Sequence, residues 1–309
     1  MEYRELGKTG LMVSVVGYGT APLGGLFGAT EENTALQTAY RALGAGINFF
    51  DSSPFYGLAE ERLGKVLRGR RDELIVGTKA GRYGPEKFDF SAARIRRSFE
   101  ESLRLLGTDY VDIFQLHDVE FVDLEGPIGD GYAELVRLRD AGLCRFIGMT
   151  GYPTAMTRRV MSECDLDVTI SYAHATLLDD CLPTEILPMA AERGIGVINA
   201  AAVAMGLLTE AGPPPHIAKV VGEGICAAAR RVVEVCKSRG VDVSFLANQY
   251  SIQRSGCATT LIGTTKLRHL DSAVAAAEEP IDEELLAEVL AAVGPDRGRH
   301  WISGLPTNN

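Results

Sequence analysis

Short apolar runs rich in Val and Ile alternate along the chain with stretches in which apolar residues recur every three or four positions. That switching between buried-strand and helical patterns is the mark of β-α units and a parallel sheet. The runs at 13–19, 47–50, 74–78, 111–116, 146–149, 168–171, 196–200 and 260–262 read as strands. Eight of them suggest a sheet closed on itself. The helix predicted over 91–106 shows the connecting pattern: Ile95, Phe99, Leu103 and Leu106 share a stripe, Arg96, Arg97, Glu100 and Arg104 lie off it, and Gly107 ends it. Thr30 is expected to cap a helix whose first turn carries Glu31 and Glu32, and Leu285, Leu286, Val289 and Leu290 mark a late helix that stops at Gly294 and Pro295. An open doubly wound sheet is the competing architecture. It is disfavoured because G-Y-G-T-A-P-L-G-G after the first strand reads as a tight loop rather than a dinucleotide fingerprint.

Composition narrows the function classes. The 309 residues are read as one domain, 1–309, because no repeat or low-complexity tract appears and the one linker-like stretch, G-P-P-P, is too short to separate domains. A net charge of −10 without any basic stripe excludes a nucleic-acid backbone as partner. No stretch approaches the roughly 20 apolar residues needed to cross a bilayer, and M-E-Y-R-E-L-G-K lacks a signal-peptide core, so the expectation is a soluble, cytoplasmic protein with no membrane partner. Six scattered cysteines without C-x-x-C pairs are expected to be reduced packing thiols, with no metal site. His174, His216 and His300 have no partner at ligand spacing in the sequence.

Charge then appears where packing does not call for it. Asp51 follows the second run, Lys79 closes L-I-V-G-T-K, His117 closes V-D-I-F-Q-L-H, and Tyr56 stands in D-S-S-P-F-Y-G. Any one of these could be a solvated loop charge or a cap. Together they sit at the carboxyl ends of strands, where a parallel barrel assembles its chemistry. A phenol with a pKa of about 10 is a poor acid or base at neutral pH, whereas an ammonium beside it favours tyrosinate and a carboxylate holds that ammonium. The set makes a proton shuttle.

This order of Asp, Tyr, Lys and His resembles the tetrad of the aldo-keto reductase superfamily. Y-R-E-L-G-K-T-G-L, R-F-I-G-M-T-G, A-M-G-L-L-T-E and L-I-G-T-T-K extend the likeness over nearly the whole chain. F-D-F-S-A-A-R-I, Y-V-D-I-F-Q-L-H-D-V-E-F and the tail R-H-W-I-S-G-L-P-T-N-N are most similar to its sugar dehydrogenases acting on L-galactose, L-fucose and related aldoses. The resemblance implies a (β/α)8 TIM barrel, plugged below by a hairpin of residues 3–5 with the segment near Leu11, and with a C-terminal loop over the active site. It implies Asp51, Tyr56, Lys79 and His117 as catalytic residues, Tyr56 being the base that takes the anomeric proton as hydride leaves C1 to give a lactone. Lys79 would lower the Tyr56 pKa, Asp51 would orient Lys79, and His117 would fix the reacting oxygen.

A nicotinamide cofactor is implied across the mouth, with Thr20, Thr150, Gly151, Ser171 and Ala200 at its ring. Met205, Gly206 and Leu207 fall at the pyrophosphate, and Gly263, Thr264, Thr265, Arg268 and His269 at the adenosine end. The family's Ser-Asn pair, Gln and stacking aromatic are replaced at Thr150, Gly151, Ser171 and Ala200. His269 occupies the position of the Arg that grips a 2′-phosphate, so NAD is favoured, while Lys266 and Arg268 leave NADP open. Phe55 and Trp301 are expected to wall the substrate, Trp301 alternatively anchoring the tail. Two further readings are a broad NADPH-dependent aldehyde or carbonyl reductase and a redox-sensing binding subunit; the intact tetrad and short N-terminus speak against the second. The sequence is silent on oligomeric state.

Overall fold

The structure, a computed structural model, describes residues 1–309. Eight parallel strands close into a barrel: β3 (Val16–Gly19), β4 (Phe49–Asp51), β5 (Ile75–Ala80), β8 (Val111–Leu116), β9 (Cys144–Gly151), β10 (Val168–Tyr172), β11 (Gly196–Ala200) and β12 (Thr259–Ile262), with β12 pairing back onto β3. Before them, β1 (Tyr3–Glu5) and β2 (Met12–Ser14) form the expected antiparallel hairpin. Its Leu6, Leu11 and Val13 join Phe49, Ile113, Val168, Ile170, Ile198 and Leu261 in one buried lumen cluster, so the hairpin fills the lower end of the barrel. The run read as one strand over 13–19 is therefore two, bent between hairpin and barrel. A further short hairpin, β6 (Arg82–Gly84) with β7 (Lys87–Phe88), escapes a reading of the sequence because neither strand is long enough to show alternation.

Helices cover the barrel. α1 (Glu32–Gly44), α2 (Ala59–Leu67), α3 (Ala92–Leu106), α4 (Tyr132–Asp140), α5 (Thr154–Glu163) and α6 (Leu187–Arg193) are followed by α7 (Pro215–Val221), α8 (Glu223–Ser238), α9 (Val243–Gln253), α10 (Leu267–Glu278) and α11 (Glu283–Val293). The α3 stripe is buried as predicted at Ile95, Phe99 and Leu106, and Gly107 closes the helix in the left-handed conformation. α11 stops before Gly294 as expected and is capped by Asp282, which accepts from Leu285 N at 3.0 Å. Thr30 does not cap α1: Glu31 holds that position without a side-chain bond, and the Thr30 hydroxyl donates instead to the Pro22 carbonyl at 3.1 Å, tying down the β3–α1 loop. No helix is long and apolar enough to cross a membrane.

The C-terminal segment returns over the strand ends. Leu305 N and Asn308 Nδ2 both donate to the Glu120 carbonyl at 2.9 Å, and Ser303 Oγ lies 3.1 Å from Glu120 Oε1. Gly298 N reaches Leu178 O at 3.0 Å. The segment is thus fastened to the loops after β8 and β10.

Candidate active site

β4 and β5 lie side by side with Asp51 opposite Gly77, and the two-residue alternation of the strand turns Lys79 to the same inner face. Gly77 leaves room for the carboxylate, since a Cβ there would come within 3.2 Å of Asp51 Oδ1. Lys79 Nζ consequently bonds Asp51 Oδ2 and donates to the Ser52 carbonyl at 2.8 Å, both side chains being almost wholly buried. Tyr56 ends the turn Pro54–Tyr56, which Ser53 starts by accepting from Phe55 N at 3.1 Å. Gly24 fits this turn against the β3–α1 loop: a side chain at 24 would collide with the Tyr56 carbonyl at 1.4 Å.

His117 follows β8 and brings Nε2 to 3.5 Å from the Tyr56 hydroxyl, with Lys79 Nζ 5.1 Å from the phenol ring centre. All four expected tetrad residues therefore meet at the mouth. Ser53 Oγ sits 2.9 Å from His117 Nδ1. Asp118 Oδ2, an acceptor, lies 3.6 Å from Nε2, so the tautomer with hydrogen on Nε2 suits both neighbours. Burial pushes the imidazole down to about 3, Asp118 opposing, so it stays neutral.

The phenol departs from expectation. Burial raises its pKa well above 10, the negative charges of Asp51 and Asp118 raise it further, and the cation that opposes them is Arg82. The Lys79 ammonium, 5.1 Å from the phenol ring centre, is itself bonded to Asp51 and the Ser52 carbonyl. The Asp51 carboxyl is itself raised by burial, with Lys79 opposing.

Arg82, which nothing in the sequence pattern singles out, pairs through Nη1 with Asp118 Oδ2. Its guanidinium lies 4.2 Å from the Phe55 ring centre, 5.0 Å from that of Phe121 and 5.4 Å from that of Phe88. Asp118 has a left-handed backbone, φ 51°, uncommon for a residue with a side chain, and its N–H donates to Thr150 Oγ1 at 3.1 Å. The only sequence signals for this pair are an acid directly after His117 and a base three residues after Lys79.

Phe55 stands where expected, its ring 6.0 Å from His117 and 6.1 Å from Tyr56. Trp301 is stacked on Tyr152 at 4.1 Å. Thr20 is buried against Ser52, its Oγ1 2.9 Å from Ser52 Oγ. Gly151 has no side chain because Met156 and Glu120 fill the space, Glu120 Oε2 lying 2.6 Å from where a Cβ would be.

Ser171 requires a correction. It is in register with Asn199 and that in turn with Thr260, whose hydroxyl donates to Ser251 O of α9, so this row faces the helices and Ser171 Oγ is buried there without a partner. The lumen-facing neighbours are Ile170 and Tyr172. Tyr172 is in register with Ala200, placing an aromatic ring beside the position where the expected aromatic is missing. Met205 (φ 55°), with Ala201 (57°), Ala204 (47°) and Gly206 (94°), gives the loop after β11 four left-handed residues, and Leu207 is buried beneath it. Gly263 packs on Gly19 O, a Cβ there being 3.1 Å away, and Tyr18 OH donates to Thr264 O at 2.6 Å. Thr264 Oγ1 accepts from Lys266 N at the head of α10, which carries Arg268 and His269, with Thr265 between. Lys266 and Arg268 make no ion pair, and burial and these two cations hold His269 below its usual range. Of the histidines outside the tetrad, His174 and His300 are not partnerless: both bond Asp179, which separation along the chain conceals.

Comparison with known proteins agrees with this geometry. The chain matches the model of the Aldo/keto reductase family over residues 15–293. It is 41% identical to L-galactose dehydrogenase of Arabidopsis thaliana over all of this chain and 99% of that protein. It is 30% identical to D-threo-aldose 1-dehydrogenase of a Pseudomonas species, over 92% of this chain and 95% of the relative. Among solved structures, the holo form of an aldo-keto reductase from Bacillus halodurans superposes with a TM-score of 0.78 at 28% identity, covering 94% of this chain and 96% of that one. Since the matched span runs from the first barrel strand to the last helix and takes in Asp51, Tyr56, Lys79 and His117, the chain belongs to the aldo/keto reductase family and is an NAD(P)-dependent oxidoreductase.

Proposed function

We propose that the protein oxidises an aldose at C1 to the lactone, with L-galactose, L-fucose or a sugar of related hydroxyl pattern as substrate. The observation that carries this reading is the Arg82–Asp118 pair beside His117 and Tyr56. An aliphatic aldehyde has nothing to offer a nearly buried carboxylate and guanidinium, whereas the hydroxyl next to the anomeric carbon can donate to Asp118 and accept from Arg82. The L-galactose and D-threo-aldose relatives, named for dehydrogenation of aldoses, support the same substrate class.

The nicotinamide, when bound, supplies the hydride acceptor. The loops after β11 and β12 suit its phosphates and adenosine, because only small side chains stand at Ala200, Gly206 and Gly263 and the loop after β11 is held in shape by its own backbone hydrogen bonds from Ala204, Gly206 and Leu207 N. The fit at the carboxamide is carried by fewer groups than the sequence suggests, since Gly151 and Ser171 present no side chain to the lumen. In the oxidation the C1–H bond would give up hydride to the nicotinamide, and the anomeric hydroxyl would lose its proton to Tyr56 in its tyrosinate form, leaving a neutral phenol. His117 Nε2–H holds that same oxygen. The Lys79–Asp51 pair keeps the phenol's surroundings fixed. NAD is the favoured cofactor because His269 stands where a 2′-phosphate would need an Arg.

Two observations favour the second reading, NADPH-dependent reduction of aldehydes: a phenol with raised pKa keeps the proton that a carbonyl would take up on reduction, and Lys266 and Arg268 are unpaired cations at the adenosine end. Steady-state assays separate the two. L-galactose, L-fucose and D-arabinose with NAD or NADP, against simple aldehydes with NADH or NADPH, are expected to give the larger kcat/KM for a sugar with NAD. A clear preference for unsubstituted aldehydes would overturn the proposal.

A further inference from the structure

Outside the tetrad, donor atoms converge where the C-terminal segment crosses the loop after β10. His174 Nδ1 lies 2.8 Å from Asp179 Oδ2, and the same oxygen lies 3.2 Å from His300 Nε2. His300 Nε2 is in turn 3.1 Å from Cys181 Sγ. The nitrogen and oxygen donors all fall within 4.8 Å of one another. His174, Asp179 and Cys181 are buried, while the side chain of His300 is 31% exposed and leaves an approach from solvent.

The outer partners orient this set. His174 Nε2 is 2.7 Å from the Tyr152 carbonyl, and Asp179 Oδ1 accepts from Cys181 N at 2.8 Å, which turns Oδ2 toward the cluster. With its hydrogen on Nε2, His174 donates to the Tyr152 carbonyl and turns the Nδ1 lone pair into the cluster, which is how metal-binding histidines are held.

We propose that His174, Asp179, Cys181 and His300 bind one divalent ion of the zinc class. Two imidazoles, a carboxylate and a thiolate are the donors such an ion takes, and four protein ligands close its tetrahedron, the pattern of a structural rather than a catalytic centre. Ligands at 2.0–2.3 Å from a tetrahedral ion stand about 3.3–3.6 Å apart, so the contacts to Asp179 Oδ2 have to lengthen slightly, and Cys181 Sγ, which touches His300 but is not among the atoms within 4.8 Å of one another, has to swing in toward the other three. The ion would staple the segment carrying Trp301 to the barrel, because His300 comes from that segment and the other three ligands come from the loop beneath.

The test uses the full chain stripped with a chelator and titrated with Co²⁺. One equivalent is expected to bind with the intense visible bands of tetrahedral cobalt and a near-ultraviolet sulfur-to-cobalt band, and Zn²⁺ should displace it. Cys181→Ser should lose the sulfur band, whereas Cys226→Ser, in the packed α8 layer, should keep it. His300→Gln should weaken binding by more than the roughly 10- to 100-fold that loss of an outer-shell partner costs. Zn²⁺ should raise the Tm of the unaltered protein but not of His300→Gln, a comparison that also reports whether the variant is folded. Only the pale spectrum of aqueous Co²⁺ at one equivalent, or a sulfur band that survives Cys181→Ser, would overturn the proposal and leave the cluster a hydrogen-bonded clamp.

Discussion

Replacing Asp118 by Asn separates substrate recognition from the chemistry beside it. The carboxylate pairs with Arg82, lies 3.6 Å from His117 Nε2, and so borders the place where the reacting oxygen sits between His117 and Tyr56. The amide keeps the shape and loses the charge. A hydrogen bond from a substrate hydroxyl to a charged acceptor contributes about 1.5–3 kcal/mol, so kcat/KM for an aldose should fall roughly 10- to 150-fold. A simple aldehyde, lacking that hydroxyl, should lose little. The charge also raises the Tyr56 pKa, so Asp118→Asn should move the alkaline limb of sugar oxidation toward lower pH. Steady-state kinetics with one aldose and one aliphatic aldehyde, from neutral to alkaline pH, read both effects at once. Equal losses on the two substrates would refute the assignment of Asp118 to hydroxyl recognition, and an unmoved limb would refute its electrostatic coupling to the phenol.

Tyr56→Phe should lower turnover by about 10²–10⁴-fold or more while nicotinamide binding, followed by fluorescence titration, stays within a small factor. Oxidation by the unaltered enzyme should rise with pH, because the base form of a phenol raised well above 10 is scarce at neutral pH; His117, held near 3, should add no ionisation between neutrality and mild acid in a kcat/KM profile. Arg268→Ala should raise KM for NADP about tenfold and leave NAD nearly unchanged, as expected for loss of one charged contact to a 2′-phosphate. Glu120 is raised from 4.5 to about 8 by burial and then by Asp118. Its neutral form therefore favours the folded state fully below the unfolded-state value, and that contribution is lost as pH rises through the folded value. Glu120→Gln should be more stable than the parent at about pH 9 and not at about pH 5, in denaturant unfolding.

The strands are legible in the sequence because burial on both faces writes them as unbroken apolar runs, and 111–116 and 196–200 coincide with β8 and β11 residue for residue. The tetrad is legible because charge directly after such a run conflicts with packing. What stays hidden depends on direction or on distance along the chain. Ser171 is misplaced by alignment because position alone ignores parity: one residue along a strand moves a side chain from lumen to helix layer. Arg82 goes unmarked because β6 and β7 are too short to leave a periodic trace. The direction of the Tyr56 shift is set by burial and then by the charges of Asp51 and Asp118, and only the packed structure shows those. His174 and His300 look partnerless in the sequence because their common acid, Asp179, is set between them by the return of the tail, not by spacing.

These particulars bear on how one mouth would recognise a sugar and also ionise a phenol in the proposed oxidation. In the proposed oxidation, a carboxylate that accepts from the substrate would disfavour the very tyrosinate that takes its proton, and Asp51 would add to the penalty. Moving Asp118 away would relieve Tyr56 but leave the hydroxyl unread. Arg82 eases this conflict, because its guanidinium neutralises Asp118 and is the cation that acts against the rise at Tyr56. Its position depends on the β6–β7 hairpin and on three aromatic faces, Phe55, Phe88 and Phe121, rather than on the barrel strands. Substrate specificity and the pH range of oxidation are therefore coupled through one ion pair held by a loop, so a change in that hairpin should shift both together while leaving the Lys79–Asp51 pair in the barrel untouched.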